Sequence, residues 1–280
     1  MSHKVLYAIP TMHCNLNCGH CFIKNAPEVY NREKFLDELN NFEGNIILFG
    51  GEVTSNIDRM FDVIESNRNN GKSKIVTVST NLIVLDDKLI EFYKSLKGIS
   101  TSWNYDRFIS NTYDIWKKNC SIIADNGISY KVMVTLTEDL FQLSVKEFLT
   151  IAKEWITPTI TEIKFEHYIG KENTSEYFNR ADEWLCELYK EWDIPVRLGI
   201  INKLKQWVFD CSEVYTLYPD GRLLNCCPHA KYGMVASECY TCEKVATCRP
   251  CRLQPHCSFP NKLADLVESD KERHCHEKTN

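Results

Sequence analysis

The sequence predicts an α/β protein, a partial (β/α)6 barrel followed by a small cysteine-rich domain. Three observations carry this. Short apolar runs alternate with amphipathic stretches six times before residue 193, glycines or polar turn residues punctuate the alternation, and near residue 205 aliphatic periodicity gives way to cysteine spacing. Short apolar strands separated by helices call for a parallel sheet buried under those helices. Right-handed crossovers curl six such units into part of a barrel. The expected division is 1–204 for the barrel and 205–280 for the cysteine-rich domain.

Each unit has its own signal. Residues 4–10 (KVLYAIP) read as a buried strand, and Phe35, Leu36, Leu39 and Phe42 follow at helical spacing. Residues 45–49 (NIILF) are a second strand, ended by Gly50 and Gly51; Ile57, Met60, Phe61 and Ile64 mark a helix that stops near Gly71. Lys74–Val78 is the third strand, and Leu85, Leu89, Phe92, Tyr93 and Leu96 line a helix closed by Gly98. Ile99–Trp103 is the fourth, followed by the stripe Tyr113, Trp116, Cys120 and Ile123, ended at Gly127. Tyr130–Leu136 is the fifth, with Val145, Phe148, Leu149 and Ala152 after it. Glu162–Ile169 is the sixth, with Phe178, Ala181, Leu185, Leu188 and Trp192 on the last helix. Reactive groups of such a fold belong on the loops after the strands, an edge that takes in the first cysteines, Gly50–Glu52, Ser79–Asn81, Ser102–Asn104 and Glu166–Tyr168.

Composition excludes several classes. With 44% hydrophobic and 25% charged residues, the 280-residue chain has a globular balance. No apolar run approaches the ~20 residues that cross a bilayer, and the N-terminus lacks a signal-peptide core, so no membrane association is expected and the cytoplasm is the expected location. A net charge of −5 gives no general attraction to nucleic acid.

The abnormal number is 14 cysteines. In a reducing compartment, clustered cysteines are metal or redox ligands rather than disulfides. Cys14, Cys18 and Cys21 fall on the loop after the first strand. Three thiolates can hold three irons of a 4Fe–4S cluster and leave the fourth open for chemistry; an incomplete zinc knuckle is the alternative. Cys120 and Cys186 lie on helices and are read as buried structural thiols.

The spacing C-x3-C-x2-C, with aromatic Phe22 directly after it and Gly50-Gly51-Glu52 at the end of the second strand, resembles the radical S-adenosylmethionine (radical SAM) superfamily over about residues 4–202. The resemblance implies that the open iron chelates S-adenosylmethionine and that Gly50, Gly51 and Glu52 receive its amino group. Phe22 would lie near the adenine. Ser79 and Asn81 look like the family's third-strand polar turn, with Leu82 where a glycine is common. Ser102 and Asn104 resemble its S-x-D turn, with Asn104 in place of Asp; as strand-end polar residues they also suit helix caps. The implied chemistry is one-electron cleavage of S-adenosylmethionine to a 5′-deoxyadenosyl radical, which abstracts hydrogen from a substrate C–H. An external one-electron donor of the flavodoxin or ferredoxin type is then required.

Beyond residue 205, Cys211 precedes a hairpin expected over Val214–Leu224, turned at Pro219-Asp220-Gly221. Cys226 follows it, and then Cys239-x2-Cys242-x5-Cys248-x2-Cys251. Paired C-x2-C motifs can bind zinc. The block resembles the SPASM extension, an iron–sulfur domain with two auxiliary 4Fe–4S clusters, although the last gap of the quartet is one residue short. The resemblance assigns Cys211, Cys226 and Cys251 to an inner cluster, and Cys239, Cys242, Cys248 and Cys275 to an outer one, with Cys257 as the alternative to Cys275. No cysteine stands a few residues before Cys211 to complete the inner set. Cys227 occupies the position of an aspartate base in sulfatase-maturing members, which counts against that reaction; it is read as a cluster ligand, a thiol acting near substrate or a structural thiol.

Glu166 and His167, at the end of the sixth strand, are candidate proton acceptors for a two-electron C–H oxidation. Alternation puts them on opposite faces, without saying which face points into the barrel. His13 and His20 flank the cluster loop and are placed to tune it. The resemblance favours a peptide or protein side chain as substrate. The alternatives are a small-molecule dehydrogenase acting on a sugar or aminocyclitol, and a non-catalytic electron carrier or zinc-bound module. With 13 residues before Cys14, peptide recognition is expected from the barrel or from a separate recognition protein.

Overall fold

The computed structural model describes residues 4–21, 23, 28–70, 72–167, 175–199, 213–225 and 266. In chain order the elements are β1 (Val5–Ala8), α1 (Arg32–Asn41), β2 (Asn45–Leu48), α2 (Ile57–Asn70), β3 (Lys74–Ser79), α3 (Asp87–Lys94), β4 (Gly98–Trp103), α4 (Tyr105–Phe108), α5 (Thr112–Asp125), β5 (Tyr130–Leu136), α6 (Val145–Lys153), β6 (Ile160–His167), α7 (Ser175–Glu191), β7 (Arg197–Leu198), β8 (Val214–Leu217) and β9 (Leu223–Leu224).

The strands form one nine-stranded sheet in the order β7-β6-β5-β4-β3-β2-β1-β8-β9. Every pair is parallel except β8 with β9. From β1 to β7 each crossover moves one strand further in the same direction. With right-handed crossovers, that places the helices on one face of the sheet and leaves the other as the concave interior of a partial barrel.

The helix-covered face is the core. Trp116 of α5 donates to Thr101 of β4 at 3.0 Å, and Trp103 meets Phe148 of α6 with ring centroids 5.4 Å apart. Phe165 of β6 contacts Phe148 and Trp184. Local signals agree with this packing. Asn31, Asp86 and Asn104 cap α1, α3 and α4, and Ser144 with Glu147 forms a capping box on α6.

The six strand–helix units stand where periodicity placed them. The sixth strand begins two residues earlier than expected, at Ile160, because Ile160 already pairs with Tyr130 of β5. The hairpin expected over 214–224 is present, with Thr216 opposite Leu224 and Leu217 opposite Leu223. Its first strand joins the barrel's own sheet beside β1, with Val5 opposite Val214 and Ala8 opposite Leu217. All nine cysteines after residue 210, Cys211 included, lie outside the described residues, as do Phe22 and Tyr168.

Candidate metal and cofactor site

The site is built at the C-terminal edge of β1–β4. The chain leaves β1 into the cysteine loop, and β2 ends against the start of that loop. Gly51 N–H donates to Thr11 O at 3.1 Å and Glu52 N–H to His13 O at 2.7 Å. A side chain at either glycine would collide with this backbone: a Cβ on Gly50 runs into the Thr11 carbonyl, and one on Gly51 into those of Met12 and His13. The glycine pair therefore lets two loops share one backbone seam.

Glu52 is 1% exposed and is the hub of the edge. Its Oε1 accepts from Thr54 N–H at 3.1 Å and from the hydroxyls of Thr54 and Thr80, each at 2.8 Å; its Oε2 accepts from Asn81 N–H at 2.5 Å. Burial pushes this carboxyl up, and the four donors work against that shift. The resemblance gives Glu52 to a ligand amine. In the fold it engages four donors of its own chain and ties the end of β3 to the end of β2.

Beyond Glu52 the third-strand turn carries backbone strain. Leu82 sits at φ 58, the one positive value for a non-glycine among the described residues. Its side chain is fully buried, its N–H donates to Thr80 Oγ1 at 3.1 Å, and its carbonyl accepts from Asn119 at 2.9 Å. The left-handed residue expected as a glycine is thus a core leucine. It turns the chain so that Asn81 faces the cysteine loop.

Asn81 Nδ2 donates to Asn15 at 2.6 Å and lies 3.8 Å from Cys14 Sγ. Asn104 Nδ2 lies 4.0 Å from Cys18 Sγ, while its Oδ1 caps α4 through Arg107 N–H at 2.9 Å. Gly19 N–H donates to Asp106 at 2.8 Å, and His20 Nδ1 is 3.4 Å from the same carboxylate oxygen. The cysteine loop is therefore held from three sides, by β2, by the β3 turn and by α4. His13 touches the site through its backbone.

Two features were not legible as site residues. Arg107 is 2% exposed. Its guanidinium donates to the Ser102 carbonyl and reaches Ser102 Oγ at 3.4 Å. Burial pushes it down to about 10, against the pull of Cys18, Glu52 and other acidic groups, so it stays charged at neutral pH. At Cys18, burial raises the thiol and Arg107 opposes the rise. The second feature is the loop's neck. Glu28 accepts from Thr11 Oγ1 at 2.8 Å, from Met12 N–H at 2.5 Å and from Arg59. Three cysteines on one loop, amide donors turned toward two of them and a buried cation nearby suit an anionic thiolate-bound cluster. Among the described residues no three His, Cys, Asp or Glu side chains gather as a single metal ion needs.

On the concave face, Ser100 and Ser102 alternate with the core residues Thr101 and Trp103. On β6, Glu162, Lys164 and Glu166 alternate with Ile163 and Phe165, which pack under the helices. Glu166 therefore faces the barrel interior. It pairs with Lys164 at 2.6 Å and stands opposite Thr135. His167 is the last residue of β6, opposite Leu136. Ser79 lies opposite Ser100. Cys120 is fully buried as expected, with its thiol pushed up to about 12 by burial, and Cys186 is partly buried against the core.

Residues 8–141 match the family model described as the Radical SAM superfamily. No curated protein sequence matches the chain. Among solved structures, anSMEcpe with bound AdoMet and the Cp18Cys peptide is 14% identical, with a TM-score of 0.64 over 82% of this chain and 76% of that one. Streptococcus suis SuiB bound to the precursor peptide SuiA is 15% identical, with a TM-score of 0.60 over 83% of this chain and 61% of that one. The cysteine loop and the first strands are similar to a radical SAM domain, on a fold shared with these structures. No helix among the described residues is long and apolar enough to cross a membrane.

Proposed function

We propose that this domain is a radical SAM domain and makes the chain an enzyme that removes a hydrogen atom from a peptide or protein side chain. The observation that carries the reading is the seam between the three-cysteine loop and Gly50-Gly51-Glu52, closed on the outer side by Asn81, Asn104 and the buried charge of Arg107. When bound, a 4Fe–4S cluster with one open iron, together with S-adenosylmethionine, supplies a 5′-deoxyadenosyl radical.

The chain's own residues have three tasks. Cys14, Cys18 and Cys21 hold the cluster as thiolates, and Arg107 offsets their negative charge. Gly50, Ser79 and Ser102 line the rim for S-adenosylmethionine, and the family resemblance assigns Phe22 to its adenine. The concave face positions substrate. There Glu166, kept beside the Lys164 ammonium, is a proton acceptor for a C–H oxidised by two electrons, with His167 and Cys227 as further acid–base candidates.

Two auxiliary 4Fe–4S clusters belong to the same proposal, held by Cys211, Cys226 and Cys251, and by Cys239, Cys242, Cys248 and Cys275. The peptide reading is supported by peptide-bound structures on the same fold. Electrons come from an external one-electron donor.

The test is anaerobic reconstitution of the full chain. The expected result is about twelve irons per chain, as three 4Fe–4S clusters require, and release of 5′-deoxyadenosine on reduction with S-adenosylmethionine present. Zinc uptake without cleavage would overturn the reading. Incubation with a peptide library and with sugar alcohols, followed by mass spectrometry for a two-dalton loss or a crosslink, separates peptide from small-molecule substrates.

A further inference from the structure

The two asparagines at the ends of β3 and β4 are built alike. In each, the amide orientation follows from a hydrogen bond that only the oxygen can accept. Asn81 Oδ1 accepts from Ile83 N–H at 3.1 Å, and Asn104 Oδ1 accepts from Arg107 N–H at 2.9 Å. The NH2 group is thereby turned the other way, toward a cysteine of the loop: 3.8 Å to Cys14 Sγ for Asn81 and 4.0 Å to Cys18 Sγ for Asn104. Asn81 is steadied further by Asn15 at 2.6 Å. Cys14 Sγ also accepts from the backbone N–H of Leu16 at 3.4 Å.

Both carboxamides are held at the buried root of the edge. Asn104 is 2% exposed, and Asn81 N–H is bound to the fully buried Glu52. The neighbouring strand ends supply serines, Ser79 and Ser102, which lack this reach. A short turn that needs only a cap accepts Ser or Asp as readily as Asn. What asparagine adds is an N–H donor on the far side of the capping oxygen.

We propose that Asn81 and Asn104 are positioning residues that donate N–H···S hydrogen bonds to the cluster thiolates of Cys14 and Cys18, and so set how readily that cluster accepts an electron. An N–H pointed at sulfur stabilises the more negative, reduced cluster, which raises its potential. The step is a one-electron transfer from an external reductant into the cluster; no bond is made or broken. The inference rests on the cluster reading above and assigns these two side chains to the metal's sulfurs instead of the nucleoside.

The experiment is a reductive titration of the anaerobically reconstituted full chain with dithionite, followed by electron paramagnetic resonance. The Cys14→Ala/Cys18→Ala/Cys21→Ala variant identifies the signal of this cluster among the others. If that variant loses neither iron nor signal, the cluster reading itself fails, separately from the present inference. Asn104→Ser and Asn81→Ser keep a capping oxygen and add no charge. Each is expected to retain wild-type iron content and to be about three- to tenfold harder to reduce, as for one modest hydrogen bond lost; tenfold is 59 mV for one electron. An unchanged midpoint in both overturns the inference. A second measurement needs no variant: 15N-labelled asparagine in the wild-type chain is expected to show hyperfine coupling to the reduced cluster. Its absence overturns the inference even where a serine variant fails to assemble.

Discussion

Replacing Glu28 with alanine is expected to open the neck of the cysteine loop and to lower stability by about 3–4 kcal/mol. The carboxylate's side chain is 5% exposed. It accepts from Thr11 Oγ1, from Met12 N–H and from Arg59. Arg59 also donates to the Pro10 carbonyl at 2.8 Å and lies 3.9 Å over the Tyr30 ring. Truncation leaves the Met12 N–H without its acceptor, which costs about 1–3 kcal/mol. It also strands a largely buried guanidinium, and losing one partner of such a pair costs about 3–5 kcal/mol. The two figures overlap because they count the same desolvated donors, so they are not summed. At about 2–4 °C per kcal/mol for a domain of this size, the melting temperature falls by roughly 6–16 °C. Thermal unfolding followed by circular dichroism at pH 7 measures it. The double variant with Arg59→Met is expected to recover part of the loss, since it removes the stranded charge. A fall below about 2 °C, or full additivity in the cycle, would refute the reasoning. The pair also has an acid signature. Burial pushes the Glu28 carboxyl up, but Arg59, Met12 and Thr11 more than reverse it, so its folded pKa lies below the ordinary 4.5. Its stabilisation is complete above that value and is lost as pH falls through the folded pKa. The gap between the wild type and Glu28→Gln therefore narrows below pH 4.5.

Gly51→Ala cannot be seated against the Met12 and His13 carbonyls; purified chain should carry four fewer irons than wild type, about one cluster's worth, with the remainder retained. Glu52→Gln keeps the three bonds at Oε1 and turns an NH2 toward Asn81 N–H, so a loss of about 1–3 kcal/mol is expected in urea unfolding, reduced by no longer burying a charge; a change under about 0.5 kcal/mol would show that the hub carries little. Leu82→Gly relieves roughly 1–2 kcal/mol of left-handed strain but removes a fully buried leucine worth about 2–5 kcal/mol; net destabilisation is expected, and a higher melting temperature would show that strain dominates.

Much of the fold was legible because its signals are local. Tyr130–Leu136 is bounded by Gly127 and alternates cleanly, and the helix stripes are long enough to carry a period. α4 spans four residues and β7 two, too short for any period, so both escaped notice. The cysteine loop was legible from its cysteines and from the paired glycines that let it close. The charges around it were not. In sequence, Arg107 and Glu28 look like any solvated charge; their burial comes from packing against strands and helices far along the chain. Glu166 shows the boundary well. Alternation separates it from its neighbours, but only Phe165 packing against Phe148 and Trp184 decides which face is the interior.

The placement of β8 sets an order of events during synthesis. The strand that leads into the cysteine loop is covered on one edge by β2, made some forty residues later, and on the other by β8, made more than two hundred residues later. At about 5–20 residues per second on the ribosome, β1 keeps an open edge for roughly 10–40 s after it emerges. An unpaired edge is a template for wrong partners, and here it leads directly into the three-cysteine loop. Slow or truncated synthesis should therefore harm this protein first at its three-cysteine loop, and expression conditions that shorten the wait for residue 217 should raise the yield of correctly folded chain.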